Sequence, residues 1–466
     1  LMYIDSSPTE DYVGLFGYML GESVDNKSVI KKIGLVGTTI EEIYYAGGIA
    51  GYAVNIRFEN CYNDGAFVTA SSAGGCAGIV AVAKNCEIVE CYNSTNIGTN
   101  SEVGATLEIS YLTPQAAAGI VLLFEGTQII DCYNEGTISG QASGGIGYQD
   151  VTPNSSTSTA SPSTIEGSYN TGAVNGIMGS GGIAASIGVS GTVIDNCYNT
   201  GDVSSSLIMA GGITTSNAGT ITNSYNSGTV TGGTGVGGIA GSNSGTISNT
   251  FNTGAIEAWG DASVGVDIIG SGITASNSGD VSNSYYGGDC GNIGGIGGSD
   301  TDGASYSSSI VDDAQSEEWF QNESVWNPDY PWNIGEDWFI VDGYPTLETP
   351  ITWLDDPSYY DHELSGLGEQ ASPYLITSNK ELAGVAYLML NYNDTYKNSY
   401  FRLTTNVDMS EYYWVPIGTT NALAFAGHFD GGNYTITGLR AYAGWDGVGL
   451  FGTVIGTSAS HAVIEN

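Results

Sequence analysis

Basic residues are scarce in this chain. Its 466 residues include nine Lys and Arg against 49 Asp and Glu, which gives a formal net charge of −40. No Lys or Arg occurs between Lys84 and Lys380. Nucleic acids and anionic membrane surfaces are both bound through clusters of basic side chains. The composition therefore argues against both as partners, and it favours solubility, repulsion between copies and cation binding.

Long apolar runs and catalytic constellations are also missing. Ala116 to Phe124 is too short for a membrane-spanning helix. The three histidines are His362, His428 and His461, and the residues after His362 lack the second histidine of a zinc-protease helix. A lyase uses a basic group or a bound cation near the abstracted proton, and the central stretch has no Lys or Arg. The chain is predicted not to be an enzyme.

A repeated phrase dominates what is present. An aromatic residue followed in most copies by Asn recurs at Tyr62, Tyr92, Tyr133, Tyr169, Tyr198, Tyr225, Phe251 and Tyr285. The intervals are 30, 41, 36, 29, 27, 26 and 34 residues. A second phrase, Gly-Gly-Ile, ends at Ile49, Ile146, Ile183, Ile213 and Ile239. Self-similarity at a period of about 20–50 residues indicates a solenoid or an array.

Short alternating runs lie between the two phrases. In the runs from Gly219 to Tyr225 and from Gly245 to Phe251, β-branched and aromatic residues alternate with small polar ones, as in strands with one buried face. We therefore predict an all-β parallel β-helix (β-solenoid). Its coils are stacked about 4.8 Å apart, so that Ile, Tyr and Asn form ladders. Irregular insertions, including 152–162, are predicted to be surface loops. A β-propeller is the rival, but 26 residues are too few for a four-stranded blade.

The seven cysteines leave two interpretations open. Cys61, Cys91, Cys132 and Cys197 occupy one repeat position, just before the Tyr, and stacking would bring Cys61 near Cys91 and Cys91 near Cys132. Ser or Thr fills this position in other coils, which favours a ladder of small side chains. Disulfides in an oxidising compartment are the alternative, although ladder geometry strains them. Because the number is odd, at least one thiol is free or pairs with another chain, and Cys290 is the candidate.

Two kinds of surface site are candidates. Asp300 and Asp302 alternate in a Gly-containing loop, where carboxylate oxygens suit Ca²⁺, and no other cofactor is predicted. Sequons for N-glycosylation begin at Asn26, Asn93, Asn154, Asn322, Asn393 and Asn433. They are compatible with a glycosylated surface protein.

The repeat pattern also divides the chain. Residues 1–300 are predicted to form the β-helix, and 301–350 a cap with a short helix and a Trp-rich segment, because solenoids need their last coil covered. Residues 351–466 contain a linker, a helix predicted over 379–391 and further strands. They are predicted to open a second, incomplete solenoid.

These residues resemble the GLUG-motif repeat family of secreted and cell-surface bacterial and archaeal proteins. The resemblance rests on the phrase from Phe429 to Leu439, on Gly-Leu-Phe-Gly at 14–17 and 449–452, and on the Tyr-Asn-Thr-Gly repeats. It implies a right-handed β-helix of the kind found in adhesins, surface-layer-like proteins and some IgA-protease N-terminal regions. It implies an extracellular or cell-surface location and transfers no catalytic residue.

The order of the motifs indicates that the chain starts and stops in mid-unit. A closing segment at 343–347 precedes an opening segment at 372–376, and the strand at 463–466 resembles the one at 29–32. Two explanations stay open: a slice of a longer tandem protein, or a subunit that the next copy continues head to tail.

Three function classes follow. The first is an extracellular structural protein that builds a fibre, sheath or surface layer by end-to-end stacking. The second is an adhesin stalk or binding module within a larger surface protein. The third is a carbohydrate-active β-helix enzyme that works through paired carboxylates.

Overall fold

The chain folds into two compact units, Leu1–Phe320 and Gln321–Asn466. The computed structural model describes residues 3–4, 12–37, 39–42, 44–65, 67–70, 74–99, 116–149, 160–259, 269–287, 339–341, 344–346, 352–354, 357–410, 412–439, 449–456 and 461–466.

The first unit is a β-solenoid in which each coil contributes one strand to each of five parallel rows. Each of the first three rows has nine strands among the described residues. Row one contains Tyr3–Ile4, Thr39–Glu42, Phe67–Ala70, Ile97–Thr99, Ile138–Ser139, Val174–Gly176, Val203–Ser205, Val230–Gly232 and Ile256–Ala258. Row two contains Tyr12–Val13, Tyr45–Gly47, Gly75–Ala77, Ala116–Ala118, Ala142–Gly144, Gly179–Gly181, Met209–Gly211, Gly235–Gly237 and Ile269–Ser271. Row three contains Phe16–Leu20, Ala50–Val54, Val80–Lys84, Val121–Glu125, Gly147–Gln149, Ala184–Ile187, Thr214–Asn217, Ala240–Asn243 and Thr274–Asn277.

Rows four and five belong to one branched sheet. Row four begins with Ser28–Lys31, Ile56–Glu59, Glu87–Val89, Gln128–Ile130, Thr164–Glu166 and Val193–Asp195. Row five begins with Gly34–Val36, Tyr62–Asp64, Tyr92–Asn93, Tyr133–Asn134, Tyr169–Asn170 and Tyr198–Asn199. In the last three coils one long strand runs through both rows: Thr220–Asn226, Thr246–Asn252 and Asp280–Tyr286.

A left-handed residue turns the chain between rows four and five. Positive φ angles occur there at Lys32, Asn60, Glu90, Asp131, Gly167, Asn196, Asn223, Asn249 and Asn283. Asn and Gly tolerate this conformation better than other residues do, which explains the Asn that precedes most Cys-Tyr and Ser-Tyr pairs. The corner directs the aromatic residue outward and the following Asn inward.

The core is built from ladders of identical side chains. Residues Ile88, Ile129, Ile165, Ile194, Ile221 and Ile247 stack in register along row four, and all are buried. The isoleucines of the Gly-Gly-Ile phrase are buried as well. Each such side chain contributes about 1.5–3 kcal/mol relative to an exposed one. The predicted β-solenoid with Ile, Tyr and Asn ladders is thus confirmed, and the β-propeller alternative is wrong.

The second unit is also built on parallel strands. Its four-stranded sheet contains Tyr374–Ile376, Tyr400–Leu403, His428–Asp430 and Val463–Glu465 in that order. A two-stranded sheet contains Val407–Asp408 and Ile436–Thr437. Two short helical turns cover Asn393–Tyr396 and Asn421–Leu423.

The helix predicted over 379–391 is present as Asn379–Asn391. Ser378 caps it, since its side chain accepts a hydrogen bond from the backbone N–H of Glu381. The buried face includes Leu382, Val385 and Met389, which belong to the same core as the strands.

Most of the predicted cap lies outside the described residues. A short antiparallel hairpin, Phe339–Val341 with Tyr344–Thr346, is described. The predicted boundaries at 300 and 350, the short helix and most of the Trp-rich segment fall outside the described ranges and stay predictions.

Candidate functional site

The first coil has an open side. Its strands Phe16–Leu20 and Ser28–Lys31 pair with the second coil, and no described strand pairs with their other edges. Core-facing Met19 and Ile30 are only half-buried there, whereas their register partners Ala53 and Phe58 are fully buried. An inward apolar residue of the first coil therefore lacks the covering that the same position has one coil later.

Apolar side chains are also concentrated on the outside of this coil. Leu20 is 65% exposed and Val36 is 67% exposed. Phe16, Tyr18 and Val29 are exposed as well. Several exposed large apolar residues close together on one edge are typical of interaction surfaces. We call the open side of residues 12–37 the first-coil face.

The basic residues of the first unit lie close to the first-coil face. All five, Lys27, Lys31, Lys32, Arg57 and Lys84, belong to its first three coils. Three of them form ion pairs between coils: Lys27 Nζ lies 2.9 Å from Glu87 Oε1, Lys84 Nζ lies 3.8 Å from Glu125 Oε2, and Arg57 also pairs with Glu87. The hydrogen bonds from Lys27 and Arg57 lower the pKa of Glu87. Within the described ranges no ion pair is recorded for Lys31 or Lys32.

A column of stacked aromatic rings runs along the outside of row five. It contains Tyr62, Tyr92, Tyr133, Tyr169, Tyr198, Tyr225 and Phe251. The ring centroids are 4.8 Å apart at Tyr169–Tyr198 and 5.2 Å apart at Tyr198–Tyr225, with nearly parallel planes. Because each ring covers its neighbour, the half-buried Tyr62, Tyr92, Tyr133 and Tyr169 present ring edges and hydroxyl groups rather than ring faces, whereas Tyr198, Tyr225 and Phe251 are buried. Burial raises the pKa of Tyr92 and Tyr133.

A groove of about 560 Å³ lies beside the start of this column. Its walls are the rings of Tyr62, Tyr92 and Tyr133 and the corner residues Lys32, Asn60, Glu90 and Asp131. Burial and the neighbouring Glu90 carboxylate raise the pKa of Asp131. Asn60 Nδ2 donates a hydrogen bond to Glu90 Oε2. The walls of this open groove carry hydrogen-bond donors, hydrogen-bond acceptors and charges of both signs.

An asparagine column fills the inside of row five. Each side chain donates from Nδ2 to Oδ1 of the next at 2.7 Å, through Asn93, Asn134, Asn170, Asn199, Asn226 and Asn252. The second Nδ2 hydrogen is donated to a carbonyl two residues later, as from Asn170 to Gly172. Buried amides with all these partners stabilise one register of stacking.

The second glycine of the Gly-Gly-Ile phrase faces this column. These glycines are Gly145, Gly182, Gly212 and Gly238. A β-carbon at any of them would overlap the backbone oxygen of the equivalent glycine in the next coil and the Asn side chain of its own coil. The two repeated phrases of the sequence are therefore halves of one packing unit.

The cysteine position forms a ladder of hydrogen bonds. The N–H of Cys61 donates to Cys91 Sγ at 3.3 Å, and the N–H of Cys91 donates to Cys132 Sγ at 3.4 Å. One coil on, Ser168 Oγ accepts from Cys132 N–H at 3.1 Å. The thiols of Cys61, Cys91 and Cys132 are free and buried. The hydrogen bond with Cys132 and burial raise the pKa of Cys91.

This geometry explains why Cys, Ser and Thr interchange there. The left-handed corner leaves a backbone N–H that the side chain of the next coil accepts, and the same side chain donates back to its own chain. The position needs a small side chain with both functions. Cys86 occupies a similar row with Thr127 and Ser163, and burial raises its pKa to about 11.

Replacing Cys132 by Ser is expected to change the free energy of unfolding by less than about 1 kcal/mol, because Ser preserves both hydrogen bonds. Cys132→Val keeps a small side chain but removes the acceptor for Cys91 N–H, so it should cost about 1–3 kcal/mol. Thermal unfolding followed by circular dichroism measures both. Equal stability of the two variants would contradict the hydrogen-bonding role.

The sequons differ in access. Asn93 is buried in the asparagine column, and Asn393 is 7% exposed and donates from Nδ2 to the carbonyl of Leu423 at 2.8 Å. The folded chain does not present these two amides to solvent, which argues against them as glycosylation sites. Asn26 and Asn433 are exposed. Asn154 and Asn322 lie outside the described residues.

The predicted calcium ligands Asp300 and Asp302, and Cys290, also lie outside the described residues. Within the described ranges, no group of three or more His, Cys, Asp and Glu side chains is placed to hold a metal ion. Two of the histidines, His362 and His461, are exposed. The third, His428, lies 2.8 Å from Glu465 through Nε2.

The last strand of the second unit is a further open edge. Val463–Glu465 pairs with His428–Asp430, and no described strand pairs with its other side. Its core-facing Ile464 is 50% exposed. Beneath it, hydrogen bonds from Asn466 and from the Gly432 N–H, with Arg402 nearby, lower the pKa of Asp430 to about 2.

Comparison with known proteins found no matching family model, no matching curated protein and no matching solved structure. Among the residues that the structure describes, no helix has the length and apolar character needed to cross a membrane.

Neither the ion pairs between coils near the first-coil face nor the groove beside the aromatic column was predicted from the sequence. Ion pairs such as Arg57–Glu87 form between residues that lie directly opposite each other on neighbouring strands. Predicting which residues lie opposite each other requires the positions of the corners. The groove beside Tyr92 depends on how far neighbouring coils are offset. The signal that could have found the ion pairs is that every Lys and Arg of the first unit lies in its first three coils.

Proposed function

We propose that this chain is an extracellular structural protein that forms linear polymers by end-to-end stacking of solenoid coils. The observation that carries the proposal is the first-coil face, where core-facing Met19 and Ile30 are half-buried beside strand edges with which no described strand pairs. An added coil would cover these side chains and satisfy the backbone groups at the edge.

The ladder core supports growth in one dimension. The backbone hydrogen bonds and the side-chain ladders of each coil join it to its two neighbours, so one more coil gains the same ladder contacts as an internal coil gains. The net charge of −40 opposes side-by-side association. Linear growth is therefore favoured over amorphous aggregation.

The cell-surface location is part of the proposal. It is supported by the resemblance to the GLUG-motif family and by the exposed sequons at Asn26 and Asn433. Buried thiols such as Cys91 are compatible with an oxidising environment because their burial keeps them from reacting.

A binding module of a larger surface protein is the second candidate. The groove beside Tyr62, Tyr92 and Tyr133 favours it, because this groove combines hydroxyl groups with Lys32, Glu90 and Asp131. In this role the solenoid holds a polar ligand on its side rather than a second coil on its end.

The test is assembly of the purified chain, measured by light scattering and electron microscopy over a range of concentrations. We expect filaments with the width of one solenoid. In row four, Ser28 and Lys32 donate their N–H groups to the second coil, so the N–H of Val29 points to the open edge. Val29→Pro should block growth, whereas Val29→Ala keeps the N–H and should assemble.

Circular dichroism checks that both variants retain the solenoid. A chain that stays monomeric at all concentrations would overturn the polymer. Such a monomer, if it bound a soluble polar ligand in the groove, would favour the second candidate.

A further inference from the structure

We infer that the open edge of Val463–Glu465 in one copy pairs in parallel with Ser28–Lys31 in a second copy, with Ile464 opposite Ile30. This inference rests on the proposed end-to-end polymer and names the two surfaces that meet. It follows from four properties of the two edges: hydrogen-bonding groups, core-facing residues, corner conformation and charge.

The free backbone groups of the two edges are complementary. In the second unit, Val463 N–H donates to Gly427 and Gly431 N–H donates to Glu465. The backbone N–H and C=O groups of residues 463 and 465 thus point to the neighbouring strand of their own sheet, and those of Ile464 point to the open edge. In the first coil the backbone groups of Ser28 and Lys32 point to the second coil, so those of Val29 and Lys31 point to the open edge. With Ile464 opposite Ile30, the N–H of Ile464 reaches the carbonyl of Val29, and the N–H of Lys31 reaches the carbonyl of Ile464.

The same alignment continues the core. Phe401, Phe429 and Ile464 stack in the second unit, and Ile30 and Phe58 stack in the first. Placing Ile464 on Ile30 joins these ladders and covers two half-exposed apolar side chains. A shift of one residue turns the side chains to the opposite face of the strand and points the wrong backbone groups at each other.

The corners match as well. Asn466 has φ +60° and Lys32 has φ +56°, and both follow the paired strand at the same position. Asn60, with φ +54°, occupies this position in the second coil. Three successive left-handed corners would therefore stack, as they do throughout the solenoid.

The outward charges are complementary. The alignment sets Glu465 opposite Lys31, for which no ion pair is recorded within the described ranges. The chain already uses such register pairs, since Arg57 lies opposite Glu87, and Arg402 lies opposite Asp430 at 2.7 Å. Opposite charges at directly facing positions favour one register over others.

The test combines charge reversal with cross-linking. Lys31→Glu and Glu465→Lys should each raise the critical concentration for assembly about fivefold, and the double variant should restore it. Lys380→Glu makes the same charge change on the helix of the second unit and should have no effect.

Cross-linking reports the register directly. In the double variant Val29→Cys, Val463→Cys, the two α-carbons of neighbouring copies should lie about 4.8 Å apart, which is at the short end of disulfide range and allows a bond with some strain. Oxidation should give a ladder of multimers on a non-reducing gel. Val29→Cys with Glu465→Cys is two residues out of register and should give none, and Val29→Cys alone controls for the native thiols.

The two proposals fail differently. Filaments without the Val29–Val463 cross-link, or with no rescue by the double charge variant, would overturn this register and leave the polymer intact. A permanently monomeric wild type would overturn both.

Discussion

Gly182→Ala is expected to abolish stable folding of the central coils, at a cost above about 4 kcal/mol. The added methyl group would overlap the backbone oxygen of Gly212 and the side chain of Asn199. Neither neighbour can move, because the first is held in the stacked backbone and the second in the asparagine column. Such an overlap forces the coils apart and breaks hydrogen bonds on both sides.

The matched control is Gly98→Ala. There the nearest atom to an added β-carbon is the backbone oxygen of Ser139 at 3.7 Å, an ordinary contact. This variant should unfold within a few degrees of wild type, because alanine also reduces the freedom of the unfolded chain. Thermal unfolding and limited proteolysis compare the two, and a stable Gly182→Ala protein would contradict the packing of the two phrases.

Asn170→Ala is expected to cost about 3–5 kcal/mol, because it leaves several buried groups without partners. The Nδ2 of Asn134 loses its acceptor, and the Oδ1 of Asn199 and the carbonyl of Gly172 lose their donor. The site is completely buried, so water cannot replace these bonds without opening the coil.

Asn175→Ala provides the comparison. Asn175 lies in row one of the following coil, is half-buried, and accepts one hydrogen bond from Ser204 Oγ at 2.8 Å. Its replacement should change stability by less than about 1 kcal/mol. Amide hydrogen exchange in coils on either side of residue 170 measures how far the defect spreads. Similar protection in both variants would show that the column contributes little.

The stacking of coils could be predicted from the sequence because the residues that recur in the repeat are the residues that form the ladders. The run from Gly219 to Tyr225 predicts a strand, and the structure has Thr220–Asn226. Identical residues at a fixed position predict a ladder whatever the exact shape of the coil. The helix at 379–391 could also be predicted from the sequence, since an N-cap serine precedes a run of good helix formers.

Other features depend on the cross-section of the coil, which the sequence does not specify. Five rows per coil follow from two left-handed corners, near Asn55 and Asn60, and from tight Gly-containing bends. The sequence contains both repeated phrases, yet their contact across the core at Gly182 and Asn199 requires the position of every bend. The inward direction of the Asn93 side chain, which argues against glycosylation there, likewise depends on the cross-section of the coil.

The amide groups of the asparagine column produce a net dipole along the column. Every amide from Asn93 to Asn226 points its nitrogen toward the following coil, so the small dipoles add instead of cancelling as they do in the backbone of a sheet. The oxygen end of the column points toward the coils of Lys27, Arg57 and Lys84, and its nitrogen end toward coils that carry acids without bases. The uneven distribution of charge along the chain thus complements the polarity of its own interior.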